Sequence, residues 1–194
     1  MPTILVLNGP NLNLLGTREP AVYGSATLAD VQALCEATGR QLGVDVDFRQ
    51  SNHEGVLIDW LHEAGRLHQQ GDLAGVVLNA GAFTHTSIAL HDAIKGTGVP
   101  LIELHISNVF AREPFRHHST ISPVARAVIC GLGVDGYPLA VQALARMRTA
   151  LSETVIEGIN TNVDLHRELL VDAKFVAGGT NIHYLEEWLA QRKR

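Results

Sequence analysis

The chain has 194 residues, of which 46% are apolar and 18% charged, a balance that excludes a disordered chain and supports one domain with some forty residues to spare. Lys and Arg number 15 against 20 Asp and Glu, for a net charge of −5, which argues against nucleic acid and against an anionic membrane surface as partners. Two cysteines, Cys35 and Cys130, are too few for a disulfide scaffold or a four-thiolate zinc site, and both sit in apolar runs that suggest buried thiols.

Thr3 to Leu7 is a short apolar run bounded by Asn8-Gly9-Pro10 and reads as a buried strand. A long loop over 8–26 follows, of a length that is usually functional or disordered. Thr27 is placed to cap a helix on which Leu28, Val31, Leu34, Cys35, Thr38 and Leu42 recur at helical spacing until Gly43. Val44, Val46 and Phe48 alternate with polar residues, as on an edge strand with one wet face. Glu54 to Gln70 is helical, with Leu57, Trp60, Leu61, Ala64 and Leu67 turned inward.

Gly75 to Leu78 reads as a third strand, Ser87 to Lys95 as a short helix, and Leu101 to Ile106 as a fourth strand. A polar loop to about Ser122 leads to a fifth strand, Ala127 to Cys130, and a helix from Pro138 to Leu151. Strands alternating with helices predict an α/β fold with a five-stranded parallel sheet covered on both faces. The domain built on this sheet is expected over 1–150. Residues 151–194 form a C-terminal helical extension with Ile182, Leu185, Trp188 and Leu189 on one stripe, expected to serve packing or assembly. The start lacks a signal-like pattern, and no apolar run nears the roughly 18 residues of a membrane span, so the expected compartment is cytoplasmic.

Some motifs compete. Gly131-Leu132-Gly133-Val134-Asp135-Gly136 is a literal GxGxxG between a strand and a helix, with Glu157 further on. It leaves open a nicotinamide-dinucleotide-binding oxidoreductase using Gly131, Gly133 and Gly136, although a tight strand-to-helix turn accounts for it as well. His62-Glu63 begins a zinc-binding HExxH pattern, but Arg66 holds the second histidine's place. No metal and no organic cofactor are expected.

Ligands of open α/β sheets bind beyond the carboxyl ends of the strands. Beyond the first strand lie Asn11, Arg18 and Tyr23, beyond the third Asn79 and His85, and on or after the fourth Glu103, His105, Ser107, Arg112 and Arg116. A lone carboxylate in the apolar run Leu101–Ile106 needs a partner, and His105, two residues on, faces the same side. Such a pair fixes the imidazole's tautomer and suits a general acid, and it also suits a purely structural pair. Tyr23 is a base only if a cation such as Arg18 lowers its pKa, and is otherwise a loop tyrosine.

Ile4 to Pro20, running Ile-Leu-Val-Leu-Asn-Gly-Pro-Asn-Leu-Asn-Leu-Leu-Gly-Thr-Arg-Glu-Pro, closely resembles type II 3-dehydroquinate dehydratase. So do Asn79 to Ser87, Glu103 to Asn108, Arg112 to Ser119 and Gly131 to Gly133, so that the likeness runs in order from residue 3 to about 150. It implies a flavodoxin-like domain that dehydrates 3-dehydroquinate to 3-dehydroshikimate in the shikimate pathway. By the same resemblance Tyr23 is the base, Arg18 the cation that activates it, Asn11 a stabiliser of the enolate, His105 the acid and Glu103 its orienting partner. Asn79, His85, Ile106, Ser107 and Arg116 resemble the substrate-binding set and Arg112 the lid arginine. Asp92 resembles a residue lent by a neighbouring subunit, which implies a homo-oligomer, a dodecamer built from trimers. Thr120 departs from the aromatic expected after Ser119, and the tail has no counterpart in shorter members. A catalytically silent flavodoxin-like binding module is the remaining alternative.

Overall fold

The computed structural model describes residues 1–17 and 25–153. The chain divides into two units, Met1–Arg146 and Met147–Arg194, and the first carries the sheet. The stripe expected around Trp188 lies outside the described residues.

Five strands, β1 (Thr3–Asn8), β2 (Asp45–Gln50), β3 (Leu73–Asn79), β4 (Leu101–His105) and β5 (Ala127–Cys130), lie in the order β2-β1-β3-β4-β5. All four pairings are parallel, which makes this a flavodoxin-like doubly wound sheet. Among the described residues the α-helices are α1 (Leu28–Leu42), α2 (Glu54–Gln70), α3 (Ile88–Thr97) and α4 (Gly136–Glu153).

Strand alternation divides the core. Ile4, Val6, Val77, Ile102 and Leu104 face α1 and α4, meeting Val31, Cys35, Ala140 and Val141. Leu5, Leu7, Val76, Leu78 and Leu101 face α2 and α3, meeting Leu57, Leu61, Leu90 and Ile94. The central strands β1 and β3 are apolar on both faces because both faces are covered. The same alternation decides where the polar strand-end residues point. Asn8 and Asn79 continue the α1/α4 face, whereas Glu103 and His105 continue the α2/α3 face.

The sequence signals place the helices well. Thr27 caps α1 through a reciprocal box in which its Oγ1 accepts from the Asp30 N–H at 3.2 Å and its own N–H donates to Asp30 Oδ2 at 2.8 Å. Gly43, at φ 68, ends that helix in the left-handed region. Ser87 Oγ accepts from the Leu90 N–H at 2.9 Å and starts α3. That helix runs on through Gly96 and Thr97 to a cap at Gly98, two residues past the expected end, because Gly98 is the glycine with positive φ. Trp60 is only half-buried, with Arg49 over its ring at 5.6 Å. Cys130 is likewise half-buried on the short edge strand β5, whereas Cys35 is fully buried as expected.

β1 and β3 mark the point where the chain's winding reverses, and there their ends lie in register, Asn8 beside Asn79. The loops beyond them touch. A Cβ at Gly9 would overlap the Ala80 carbonyl, so only glycine permits the approach. This contact forms one wall of the cleft described next.

Candidate active site

A cleft of about 120 Å³ opens at the carboxyl ends of β1, β3 and β4, where a doubly wound sheet binds its ligands. Pro10, Asn11, Leu12 and Leu15 line it from the first loop, and Asn79, Gly81, Ala82 and His85 from the turn after β3. His105, Ile106 and Ser107 supply the third side, and Val109, Arg112 and Arg116 the rim. Eight of the residues expected from the sequence therefore meet here: Asn11, Asn79, His85, His105, Ile106, Ser107, Arg112 and Arg116. Glu103 stands directly behind His105 rather than in the wall. Asp92 is exposed on α3 and does not line the cleft. Arg18 and Tyr23 lie outside the described residues.

Glu103 is 0% exposed and holds the densest set of polar contacts in the site. Its Oε1 accepts from Thr84 Oγ1 at 2.6 Å, Ser119 Oγ at 2.7 Å and His105 Nε2 at 2.9 Å, and its Oε2 accepts from Ser122 Oγ. The sense of one of these bonds is fixed by its surroundings. Ser119 Oγ already accepts from the N–H groups of Ile121 and Ser122, at 3.0 and 2.9 Å, so its own hydrogen goes to the carboxylate. Burial opposes the charge, but the hydrogen bonds from His105, Ser122, Thr84 and Ser119 outweigh it and bring the carboxyl down to about 2. Glu103 is thus an anion at working pH and only accepts, so the bonded His105 Nε2 carries a hydrogen. The ring, 8% exposed, is held in one orientation with its other nitrogen available for proton transfer.

Asn11 carries the sole positive φ among the described non-glycine residues, 67. Asparagine tolerates this conformation better than other side chains. Its N–H donates to Asn52 Oδ1 at 3.0 Å, and Gln50, at the end of β2, donates to the same oxygen at 3.0 Å and to the Gly9 carbonyl at 3.2 Å. At the rim, Arg116 Nε meets Glu113 Oε2 at 2.9 Å and Arg112 Nε meets it at 3.5 Å. The trio carries one net positive charge, suited to an anionic ligand. His85 is oriented by its Nδ1, 2.7 Å from the His118 carbonyl oxygen.

Several of these residues escape a reading by motif. Ser122 sits in a polar loop without periodicity, and Asn52 and Gln50 come from the sheet's far edge. For Ser122 the one signal is the buried acid itself, because a buried carboxylate demands donors. Tyr137, fully buried at the start of α4, is the other omission.

The glycine motif at Gly131 does not build a phosphate cradle. Gly131 and Gly133, at φ 83 and 61, form a turn whose N–H groups donate to the His105 and Ile106 carbonyls at 3.2 and 3.0 Å. Those donors are engaged, and the turn follows the edge strand β5 rather than a strand at the winding reversal where dinucleotides bind. Among the described residues no three His, Cys, Asp or Glu side chains gather as a metal site.

Comparison with known proteins agrees with this geometry. Residues 2–145 match the family described as Dehydroquinase class II. A second match, to the Biotin carboxylase C-terminal domain over 113–187, covers under half of the chain and overlaps the first. A 3-dehydroquinate dehydratase of Acidovorax sp. (strain JS42) is 69% identical over 144 residues, covering 74% of this chain and 97% of the relative. One named 3-dehydroquinate dehydratase 2, from Ralstonia nicotianae, is 72% identical over 144 residues, covering 74% and 94%. The crystal structure of type II dehydroquinase from Propionibacterium acnes superposes with a TM-score of 0.71 at 45% identity, covering 75% of this chain and 97% of that one.

Proposed function

The chain belongs to the class II dehydroquinase family and is a hydro-lyase that dehydrates 3-dehydroquinate to 3-dehydroshikimate in the shikimate pathway, and we propose that it does so through an enolate, with Tyr23 as base and His105 as acid. The observation that supports this reading most is the caged Glu103 bonded to His105 in the wall of the cleft.

Tyr23, as phenolate beside the Arg18 guanidinium, removes the proton alpha to the ketone. The electron pair moves onto the carbonyl oxygen, and Asn11, with a bridging water, offers donors to the enolate. As the enolate collapses, the bond to the tertiary hydroxyl breaks. His105 gives that oxygen a proton, since hydroxide leaves poorly on its own. One proton is taken and one is given, so water departs and the phenol's proton returns to the imidazole through solvent. Glu103 keeps the imidazole aimed during both transfers. The Ile106–Ser107 turn, Asn79, His85 and Arg116 hold the substrate, with the Arg112–Glu113–Arg116 charge favouring its carboxylate. Arg112 closes the first loop over it.

This route fits the placement of the lysines. Only Lys95, Lys174 and Lys193 are present, Lys95 does not line the cleft, and a Schiff-base route needs a buried amine there. Asp92, exposed and outside its own cleft, is suited to reach a neighbour's, which supports the trimer-based dodecamer. We place the enzyme in the cytoplasm, where its two free thiols stay reduced.

The test is turnover of 3-dehydroquinate by the purified chain, followed by ultraviolet absorbance of the conjugated enone with chelator present. Tyr23→Phe is expected to abolish turnover while sparing substrate affinity. A variant within tenfold of the parent overturns the assignment of the base.

A further inference from the structure

A second buried polar chain lies on the opposite face of the sheet from Glu103. The Tyr137 phenol is 0% exposed, packed near Phe48 with ring centroids 6.4 Å apart. It donates to Asn8 Oδ1 at 2.6 Å and accepts from Asn79 Nδ2 at 2.9 Å. The far ends of this chain are backbone groups of fixed sense. The Arg49 carbonyl can only accept, so the nitrogen of Asn8 faces it, at 3.1 Å. The Gly81 N–H can only donate, so the oxygen of Asn79 faces it, at 3.3 Å. Both amides are thereby oriented, and the single phenol hydrogen has one place to go.

The consequence falls on the cleft. Asn79 is 4% exposed and lines the wall, and one of its two amide hydrogens is spent on Tyr137. We propose that Tyr137 is a positioning residue for substrate binding: its hydroxyl, together with the Gly81 N–H, holds the Asn79 amide in the one orientation that keeps the second N–H as a donor for an oxygen of the substrate. Burial pushes the phenol's pKa well above its usual value, so it stays neutral and keeps its hydrogen across the working range. Tyr137 follows Gly136 at the first turn of α4, so the glycine-rich turn that resembled a nucleotide motif instead delivers this phenol to the ends of β1 and β3.

This inference rests on the dehydratase reading, with Asn79 in the binding set. The experiment is a double-mutant cycle on the full chain, read as KM and kcat for 3-dehydroquinate. Tyr137→Phe is expected to raise KM roughly tenfold, the effect of unpairing one buried donor, while kcat changes less than about twofold. Asn79→Ala raises KM similarly, and adding Tyr137→Phe to it raises KM no further. Penalties that multiply, or a Tyr137→Phe enzyme with the parent's KM, overturn the proposal. If Tyr137→Phe fails to fold, or the parent shows no turnover and so defeats the dehydratase reading itself, the unsubstituted chain decides. With ¹⁵N-labelled asparagine, one Asn79 side-chain hydrogen is expected to be protected from exchange and the other to shift on adding 3-dehydroquinate. Two hydrogens exchanging equally fast overturn the proposal.

Discussion

Two carboxylate clusters occupy this sheet, and they differ in what surrounds them. At the end of β4, Glu103 is sealed from solvent and bonded to three hydroxyls and an imidazole. On the edge strand β2, Arg49 bridges Asp47 and Glu63 across its own strand and α2, both at 2.5 Å, with the acids' side chains 40% and 37% exposed. Each has short contacts and good geometry. Only the first cannot fall back on water, so only there does each donor decide whether the charge is tolerated. A dense set of contacts marks a functional group only where burial removes the alternative.

Four measurements press on this contrast. The largest effect is expected at the imidazole that the buried cluster orients. His105→Ala should lower kcat by about 10²–10⁴-fold, the usual span for losing a general acid, in steady-state assays. Glu103→Gln comes next, because an amide nitrogen would face hydroxyl and imidazole donors. It should destabilise the fold by about 3 kcal/mol in denaturant titration and reduce kcat at least tenfold.

The third measurement is acid unfolding. Glu103's pKa is depressed from 4.5 to about 2 in the folded chain, so its contribution is fully present above the unfolded value and fades as pH falls through the folded one. Stability followed from pH 5 to pH 2 should fall more steeply for the parent than for Glu103→Gln, by on the order of 3 kcal/mol across that window. Parallel curves would falsify the charged state of the cage. The smallest effect is expected on β2. Arg49→Met should cost no more than about 1 kcal/mol and leave kcat unchanged, since its partners are solvated and screened. Its carbonyl, which accepts from Asn8, is untouched.

The sequence announced the elements because their signals are local. Thr27 with Asp30, Ser87, Gly43 and Gly98 punctuate the helices, and apolar runs at β1 and β3 advertise strands covered on both faces. The strand-end rule also gathered Asn11, Asn79, His85, His105, Arg112 and Arg116 before any geometry was known. Glu103 stood out because an acid in an apolar strand is costly without a partner. His105 could be paired with it because strand residues two apart share a face.

Sequence alone did not name the partners that arrive from elsewhere in the chain. Thr84, Ser119 and Ser122 lie 16 to 19 residues from Glu103, and Tyr137 lies 129 residues from Asn8. Periodicity reports which way a residue faces along its own element, but a hydrogen bond depends on which other element is packed opposite. That is set by the order β2-β1-β3-β4-β5 and by the layering of α1 with α4 and of α2 with α3. The sequence therefore determined the elements and gathered candidates that line the cleft. The tertiary structure alone decided which donors keep Glu103 charged and which phenol orients Asn79, because those choices belong to contacts between distant segments rather than to the local pattern of any one.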